Sequence, residues 1–368
     1  MSDLRFLCVP CDGIGPEIAD ATESVLDTLI SELGLSIDLE RDLAGFDSLK
    51  KYGITLREEL LEKAETDFDG VILGPMSTMD YPSVADGGRN VSGGFRIGLD
   101  LYANVRPARS RPSIQNKAPG MDLVIYRENT EGFYSDRNMY QGVGEMMPDP
   151  DMALSVRKIS RRCCMRICRQ AFDAASRRRK KIAAIHKANI FFMTDGLFLE
   201  CFRAVSNEYP DVETEEILID AFAALLIRQP EVYDVIVTTN FYGDTLSDLA
   251  SELSGSLGLA GSINTNAENG RCMAQAQHGS APDLAGKNVA NPTSLILSLA
   301  MMLTWIGDHR GNTKLSEAGR LTEMAIDQVL SNPENWPRDL GGSVNTDEFG
   351  HRVCAAVGKL ARTSVVIL

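Results

Sequence analysis

Short apolar runs alternate with longer amphipathic segments along the whole chain. The runs are too short for helices and are typical of buried strands in a parallel sheet. They are FLCVP, GVILG, DLVIY, KIAAIH and VIVTT. Between them lie segments such as IADATESVLDTLISELG, in which apolar residues recur every three or four positions, as on one face of a helix. The alternation predicts an α/β fold with a largely parallel sheet.

Two segments lack both the apolar runs of strands and the helical spacing of apolar residues, and they are predicted as loops. One is the stretch DGGRNVSGG, residues 86–94, and the other lies around residues 145–151 and is rich in Met, Pro and Asp. No stretch is long or polar enough to be a disordered linker, so composition does not mark a domain boundary. The apolar segment from Leu295 to Ile306 is too short to span a membrane, and we expect a buried core or subunit-interface helix there.

Composition and charge narrow the class of protein. The 368 residues are enough for a large core and two domains. The net charge of −14 argues against a general nucleic-acid binder, because such a protein carries a basic face. The start, MSDLRFLCVP, lacks the basic and apolar regions of a signal peptide, so we expect a cytoplasmic protein. The eight cysteines show no zinc spacing and are expected to be reduced.

Two aspartates four residues apart are the first candidates for chemistry. Asp244 and Asp248 lie in NFYGDTLSDLASEL, whose apolar positions predict a helix downstream of Gly243. On a helix such carboxylates lie about 5–6 Å apart and repel each other, and a divalent cation removes the repulsion. A solvated acidic face is the simpler interpretation. The preceding strand, in VYDVIVTTN, favours a ligand site, since open α/β sheets bind ligands at the carboxyl ends of strands.

Five further charged or phenolic residues lie near the predicted strands. Arg96 and Arg106 flank LDLYANV, and Arg127 follows DLVIY. These arginines either hold substrate carboxylates in bidentate contacts or are unrelated surface residues. Tyr134, in RENTEGFY, is either a proton donor or a packed aromatic residue. Lys187, in HKAN, is exposed, pairs with a charged partner or acts as a base.

Seven segments, taken in order, form a specific pattern. They are DGIGPEI (12–18), DLYANVRP (100–107), RENTEGFYS (127–135), HKAN (186–189), the helix start at Asp220, NFYGDTLSDLASEL (240–253) and HGSAPDLAGKNVANP (278–292). In these segments the chain resembles the β-decarboxylating dehydrogenases, which include isocitrate, 3-isopropylmalate, homoisocitrate and tartrate/D-malate dehydrogenases.

The resemblance implies a two-domain α/β fold of the isocitrate/isopropylmalate dehydrogenase type, which is not a Rossmann fold. Residues 1–102 and 255–368 would form a large cofactor-binding domain. Residues 103–254 would form a small domain that carries the metal site and the dimer interface. The family's active site is shared across a homodimer, so we expect a homodimer or a higher oligomer.

The resemblance also implies which residues act in catalysis. Tyr134 would be the acid, and Lys187 would be the base, reaching in from the partner subunit. Asp244 and Asp248 would bind Mg²⁺ or Mn²⁺ together with Asp220 of the partner subunit. The paired acids would then be tolerated because a metal ion lies between them and the substrate.

Substrate and cofactor contacts follow from the same resemblance. The residues expected to bind the carboxylates of the malate core are Arg96, Arg106 and Arg127, and those expected near its third substituent are Asn90 and Ser92. The residues expected to bind the cofactor are Ile14, Thr78, His278, Gly279, Ser280, Ala281, Asp283, Leu284 and Asn291.

The sequence favours NAD as the cofactor and a polar substrate. A carboxylate at Asp283 accepts hydrogen bonds from both ribose hydroxyls and repels a 2′-phosphate, and NADP-using relatives tend to have Lys-Tyr at residues 283–284. The segment RNVSGGF before Arg96 is small and polar, which favours isocitrate or a homologous tricarboxylate over a branched alkyl group. D-malate, tartrate and 3-alkylmalates, including 3-isopropylmalate, stay open. Arg89 either binds a distal carboxylate or points to water.

Three positions depart from the family pattern. Cys11 stands where glycine is usual, Gln275 where glutamate is common, and Ala221 where asparagine is frequent. None of them removes a catalytic group. A non-catalytic regulatory subunit of a heteromeric relative is the alternative from another class, but the complete set of catalytic and metal-binding residues argues against it. We therefore expect an active oxidative decarboxylase that depends on NAD and on Mg²⁺ or Mn²⁺.

Overall fold

One large sheet organises the protein. It is seen in a computed structural model that describes residues 4–134, 139, 141–142 and 144–365. The strands are β1 (Leu4–Val9), β2 (Ile37–Arg41), β3 (Gly70–Leu73), β4 (Ala103–Arg109), β5 (Asp122–Glu128), β6 (Glu145–Asp149), β7 (Met152–Ser155), β8 (Lys181–His186), β9 (Glu213–Leu218), β10 (Val235–Thr238), β11 (Ile263–Asn266) and β12 (Arg271–Gln275). The longer helices are α1 (Gly15–Leu33), α2 (Phe46–Tyr52), α3 (Glu58–Thr66), α4 (Val91–Gly98), α5 (Arg161–Arg177), α6 (Thr194–Ser206), α7 (Ile219–Arg228), α8 (Asn240–Ser254), α9 (Thr293–Arg310), α10 (Thr313–Leu330) and α11 (Thr346–Val365).

The sheet is parallel on both flanks and antiparallel in its middle. Its ten strands have the order β2-β1-β3-β12-β11-β4-β5-β10-β8-β9. The antiparallel pairs are β12 with β11, β11 with β4, and β4 with β5. The other pairs are parallel. The predicted α/β fold with a largely parallel sheet is therefore confirmed, and the antiparallel centre distinguishes it from a Rossmann sheet. The division at residues 102/103 and 254/255 stays a prediction.

Helices cover both faces of the sheet, which explains the continuous apolar runs of its strands. In β1, Phe6 and Cys8 belong to the core shared with α1, α9, α10 and α11. Leu7 and Val9 belong to the core on the other face, with α3 and α4. The helix expected at residues 295–306 is confirmed as the mostly buried α9. No helix in the described part of the chain has the length and apolar character needed to cross a membrane.

Two predicted boundaries are corrected. The loop expected at residues 86–94 ends at Asn90, because α4 begins at Val91. The side chain of Asn90 caps this helix by accepting a hydrogen bond from the N–H of Gly93 at 2.7 Å. The helix with the paired acids begins at Asn240 and not after Gly243, so the glycine lies inside it.

The loop expected at residues 145–151 is also corrected. It belongs to an antiparallel hairpin formed by β6 and β7. Strand periodicity reflects one buried and one exposed face, and every residue of these two strands is exposed in the protomer. The exposed apolar side chains of the hairpin are Met146, Met147, Met152 and Leu154. An isolated two-stranded ribbon is marginally stable in water, so this hairpin would gain stability from a partner surface.

The helices α9 and α10 approach each other closely at two glycines. A Cβ atom on Gly319 would lie 2.1 Å from Thr304 Oγ1 and 2.4 Å from the carbonyl oxygen of Ala300. A Cβ atom on Gly307 would lie 2.4 Å from Ser316 Oγ. Side chains at these two positions would therefore push the helices apart.

We expect Gly319→Ala to destabilise the protein by about 1–3 kcal/mol, because the added methyl group overpacks the contact between the helices. Alanine is otherwise favoured over glycine in a helix by about 1 kcal/mol. The free energy of unfolding in urea measures the change. The control is Gly196→Ala in α6, where an added Cβ meets nothing within 4 Å, and which should be at least as stable as the wild type. Equal stability of both variants would contradict this account of the α9–α10 contact.

Candidate active site

A cleft of about 660 Å³ lies next to the carboxyl ends of β3 and β12. The predicted site residues that line it are Thr78, Asn90, Ser92, Arg96, Arg106, Arg127, Tyr134, Asp244, His278 and Gly279. The first and last of these residues are 201 positions apart in the sequence. The strand order brings them together, because residues after β3 and after β12 meet α4, α8 and the central strands at one edge of the sheet.

The guanidinium group of Arg106 contacts both acids of α8. Its Nη1 donates to Asp244 Oδ1 at 3.2 Å, to Asp248 Oδ1 at 3.3 Å and to Ser247 Oγ at 2.7 Å. Burial and the nearby Arg127 lower the pKa of Arg106 to about 10, although the two acids raise it. A cation beside both carboxylates relieves the repulsion expected from their spacing. The pair is therefore more than a solvated acidic face.

Arg127 lies against α8 at the position of Gly243. Its Nε and Nη2 donate to Asn240 Oδ1 at 2.9 and 2.6 Å, and its Nη1 donates to Asp244 Oδ1. A Cβ atom on Gly243 would lie 2.6 Å from the Cβ of Arg127, so only glycine allows the helix to lie this close. Burial raises the pKa of Asp244, but the neighbouring arginines outweigh burial, and the resulting pKa is below its ordinary value. This carboxylate is therefore ionised at neutral pH.

Tyr134 places its phenol beside the acid pair. The hydroxyl group donates to Asp244 Oδ2 at 3.3 Å, and the guanidinium carbon of Arg127 lies 6.0 Å from the centre of the ring. Tyr134 also lines the cleft. Its hydroxyl group therefore lies beside the acids, and its role as a proton donor stays a prediction.

Gln275 organises the part of the cleft near α4. Its Oε1 accepts hydrogen bonds from Ser92 Oγ at 3.1 Å, from Arg96 Nη2 at 3.1 Å and from Asn264 Nδ2 at 3.4 Å. The position was notable in the sequence only as a departure from the family's glutamate. In the structure its neutral amide supplies one acceptor for three donors, two of which are predicted substrate-binding residues.

Arg89 agrees with the second of its two sequence interpretations, a residue that points to water, because its side chain is exposed. Its Nη1 donates to Glu58 Oε2 at 2.7 Å on the protein surface. It is not among the described residues that line the cleft. The backbone of Arg89 instead helps to hold the turn before α4, since its N–H donates to Thr55 Oγ1 at 2.7 Å.

Lys187 and Asp220 contact each other in the protomer. The Nζ of Lys187 donates to Asp220 Oδ1 at 2.6 Å, and this contact lowers the pKa of Asp220. Neither residue belongs to the described lining of the cleft. Asp220 lies in the first turn of α7, as the sequence predicted. Within the described part of one protomer, no group of three His, Cys, Asp or Glu side chains is arranged to bind a metal ion.

The first predicted cofactor-binding residues lie where the β1–α1 turn meets the segment after β12. The N–H of Ile14 donates to the carbonyl oxygen of Ser280 at 2.9 Å. The hydroxyl groups of Ser280 and Ser77 are 2.8 Å apart and share a hydrogen bond. Ala281 has a φ of 39°, in the left-handed region, so the chain turns sharply here. Cys11, at the start of the same turn, has a φ of 58°, in the left-handed region that glycine adopts most easily.

The other predicted cofactor-binding residues spread from the cleft to the surface. His278 and Gly279 line the cleft. Burial lowers the pKa of His278, so its imidazole is neutral at pH 7. Residues 283–284 are exposed in a short 3₁₀-helix. Asn291 donates to Asp339 Oδ2 at 3.0 Å, which holds its side chain within the fold.

The sequence reasoning missed three polar residues that contact the two acids on α8 or the arginines beside them. These are Asn240 and Ser247, which bind the arginines, and Gln277, whose Nε2 donates to Asp248 Oδ1 at 3.0 Å. A signal was available in the sequence. Asn240, Asp244, Ser247 and Asp248 recur at steps of three and four, so they form a polar stripe on the face opposite the apolar one.

Comparison with known proteins gives the family. Residues 6–353 match the sequence family described as isocitrate/isopropylmalate dehydrogenase. The chain belongs to this family. Catalytic subunit 5 of the mitochondrial NAD isocitrate dehydrogenase of Arabidopsis thaliana is 39% identical over 348 residues, which cover 94% of this chain and 86% of the relative. A 3-isopropylmalate/3-methylmalate dehydrogenase of Methanocaldococcus jannaschii is 38% identical over 358 residues, which cover 96% and 98%.

A solved structure agrees with this assignment. The crystal structure of isocitrate dehydrogenase from Methylococcus capsulatus has a TM-score of 0.85 to this chain at 35% identity, and the match covers 96% of this chain and 99% of the other. The resemblance drawn from seven segments is confirmed, and so is the prediction of a dehydrogenase of this family. Relatives named for isocitrate and for 3-isopropylmalate are almost equally similar, so overall identity does not separate the two substrates.

A buried carboxyl group lies at the base of the segment that carries Tyr134 in this dehydrogenase. Glu128 accepts hydrogen bonds from the N–H and hydroxyl of Thr130 at 2.9 and 2.6 Å, and from the N–H of Glu131 at 2.9 Å. Burial and then the nearby Glu131 raise the pKa of Glu128 from 4.5 to about 7, although these hydrogen bonds lower it. Folding is therefore linked to the protonation of Glu128.

The pKa of Glu128 predicts a pH-dependent stability. Because the folded-state pKa is the higher one, its contribution is fully present below pH 4.5 and is lost as the pH rises toward 7. We expect the difference in unfolding free energy between wild type and Glu128→Gln to change by about 1.4 kcal/mol per pH unit in this window. Urea unfolding at several pH values measures it. Parallel pH profiles of the two proteins would contradict the prediction.

Proposed function

We propose that this protein catalyses the oxidative decarboxylation of a 3-carboxy-2-hydroxy acid with a (2R,3S)-malate core, using NAD and Mg²⁺ or Mn²⁺. Isocitrate or a homologous tricarboxylate is the first candidate substrate. The observation that carries the proposal is the convergence of three arginines, an ionised aspartate and a phenol in one cleft. This combination suits a substrate with several carboxylates whose reaction ends with a proton transfer.

Polar groups around Arg96 support a carboxylate as the third substituent of the substrate. Ser92 and Gln275 contact each other beside this arginine, and Asn90 lines the same part of the cleft. A branched alkyl group placed there would bury these polar groups without hydrogen bonds. Met76 and Met79 also line the cleft, and they favour a 3-alkylmalate, including 3-isopropylmalate, as the second candidate. D-malate and tartrate, which lack a large substituent, belong in the same test.

The acids present fit a hard divalent cation, because they offer carboxylate oxygens. One nitrogen of Arg106 contacts both Asp244 and Asp248, so the two carboxylates lie close enough together to share one cation. The third ligand would be Asp220 of the partner subunit. When bound, Mg²⁺ or Mn²⁺ would stabilise negative charge on the C2 oxygen, and NAD would accept hydride from C2.

The residues of the chain would handle carboxylates and protons. Arg96, Arg106 and Arg127 would hold the carboxylates of the substrate. Lys187 of the partner subunit would accept the proton of the C2 hydroxyl group as C2 is oxidised. When CO₂ leaves, the electron pair of the broken C–C bond forms an enolate, and Tyr134 would donate its phenolic proton to C3.

Two observations support a homodimer with shared active sites. Lys187 and Asp220 pair with each other and are not among the described residues that line the cleft. In the proposed active site, a second copy would bring this pair to the acids of α8. The protomer also exposes apolar side chains that a partner would cover, on the β6–β7 hairpin and at Ile190, Phe192, Met193, Ile227 and Phe241.

A substrate panel tests the proposed function. Formation of NADH is followed with isocitrate, homoisocitrate, 3-isopropylmalate, D-malate and tartrate, each with Mn²⁺ or with EDTA. We expect the highest kcat/KM with isocitrate or homoisocitrate, and loss of activity in EDTA. Activity that survives EDTA would contradict the metal requirement. Activity with none of the substrates would favour the non-catalytic regulatory subunit.

The exposed carboxylate of Asp283 generates a prediction about the cofactor. Asp283→Lys removes an acceptor for the ribose hydroxyls and adds a positive charge, so we expect the KM for NAD to rise about tenfold or more. The KM for NADP should fall. Asp211→Lys is the control, because it makes the same charge change at a side chain that is 85% exposed and far from the predicted site in sequence. An unchanged KM for NAD in Asp283→Lys would refute the cofactor assignment.

A further inference from the structure

Arg157 is a buried charged residue that has no role in the site described so far. Its side chain is only 6% exposed and pairs with the fully buried Asp195, with 2.5 Å between Nη1 and Oδ1. The same guanidinium donates to Thr194 Oγ1 and to Thr239 Oγ1, each at 3.0 Å. A buried ion pair gains little net stability, because removing both charges from water is costly. Its contacts therefore point to a role in geometry.

Three aromatic rings surround the guanidinium group of Arg157. Ring centres at 5.6, 5.1 and 5.2 Å from the guanidinium carbon belong to Phe133, Phe191 and Tyr242. The nearby site residues along the chain are, in the same order, Tyr134, Lys187 and Asp244. One side chain thus contacts the three segments that carry the proposed acid, the proposed base and a proposed metal ligand.

Hydrogen bonds extend this contact to the backbone of the same segments. Asp195 Oδ2 accepts the N–H of Lys187 at 2.6 Å and the hydroxyl of Tyr242 at 3.3 Å. Next to Arg157, the N–H and carbonyl of Lys158 pair with Gly132 at 3.0 and 2.8 Å. The Arg157–Asp195 pair is therefore bonded directly to the residue that would be the base. Lys158, the residue after Arg157, forms the backbone bridge to Gly132, which lies in the segment that carries Tyr134.

We propose that Arg157, together with Asp195, is a positioning residue that sets the Lys187 segment against the segments of Tyr134 and Asp244. The proposal rests on the proposed function, in which Lys187 serves the partner's active site while Tyr134 and Asp244 serve their own. The Arg157–Asp195 pair then fixes residues of the protomer's own active site relative to the lysine that it supplies to its partner's site. The pair does this without touching the substrate. Catalysis is sensitive to such placement, since a displacement of about 1 Å costs about 100-fold in rate.

The first test is the steady-state kinetics of the intact dimer. We expect Arg157→Met to lower kcat about 100-fold while KM changes much less, because the substrate-binding arginines remain in place. Arg157→Lys retains the charge but not the spread of donors, so it should recover part of kcat. Arg169→Met is the control. It removes another arginine from the same part of the chain, whose ion pair with Glu208 is exposed, and it should leave both constants unchanged.

If Arg157→Met does not fold, Asp195→Asn tests the proposal in its place. This substitution preserves shape and removes the charge, and it should also lower kcat more than it raises KM. Circular dichroism and thermal unfolding identify the folded variants. A kcat within twofold of the wild type in folded Asp195→Asn and Arg157→Lys would overturn the proposal, as would a change confined to KM.

Mixed dimers test the connection between the two active sites. In an equal mixture, Tyr134→Phe and Lys187→Met should regain about a quarter of wild-type activity, since half of the dimers are mixed and each has one intact site. Mixed dimers of Arg157→Met with Tyr134→Phe, or with Lys187→Met, should regain little activity, because Arg157→Met disturbs both the Tyr134 segment and the Lys187 segment of its own chain. Recovery with Tyr134→Phe would show that Arg157 acts on the Lys187 segment alone, and would overturn the proposed connection.

The control pair separates this proposal from the proposed function. If Tyr134→Phe and Lys187→Met fail to complement each other although mixed dimers form, the shared active site is wrong, and the proposed connection between two sites is overturned with it. If they complement each other and Arg157→Met complements Tyr134→Phe as well, the shared site stands and only the proposal for Arg157 fails.

Discussion

Two acids on one face of α8 are held against arginines that are almost completely buried, and the shape of the cleft depends on this charge balance. Arg106 and Arg127 are 7% and 3% exposed, and Asp244 contacts both. A buried guanidinium without an acid would be very costly, and two acids at this spacing would repel each other. The arginines therefore offset the repulsion between the acids, and the acids offset the cost of burying the arginines. Gly243 allows the required approach of helix and strand.

The same balance leaves a cleft suited to anions. Three arginines face it, and the acceptor beside Arg96 is the neutral amide of Gln275 and not a carboxylate. The acids that are present lie together on α8, where a cation would neutralise them. The cleft thus combines carboxylates, which would hold a metal ion, with guanidinium groups, which would hold the carboxylates of a substrate. An oxidative decarboxylase of a polycarboxylic acid would need both kinds of group.

One protomer has only part of the proposed chemistry at the cleft. The lysine and the third aspartate contact each other elsewhere, and the β6–β7 hairpin exposes an apolar surface. Association would therefore bury apolar area and complete the site in one step. In that arrangement each chain contributes to two sites, so its segments must be fixed relative to one another. The buried pair of Arg157 and Asp195 lies where these segments meet.

The sequence alone determined the fold class, the family and most of the residues in the cleft, because these depend on local periodicity and on short motifs. Apolar runs and helical spacing report which faces are buried, and this information is contained in neighbouring residues. The helix of the two acids, the apolar α9 and the strands β1, β3, β5, β8 and β10 were predicted in this way.

Only the tertiary structure decided which polar groups contact one another. Arg89 pairs with Glu58, and Arg157 pairs with Asp195. Gln275 accepts hydrogen bonds from Ser92 and Arg96. No rule of sequence spacing relates the residues of these contacts. The hairpin was missed for a related reason, since its apolar side chains have no buried face within the protomer to impose a period. Contacts between distant segments depend on strand order and on the path of the chain. Local sequence does not encode either of these in a form that periodicity can reveal.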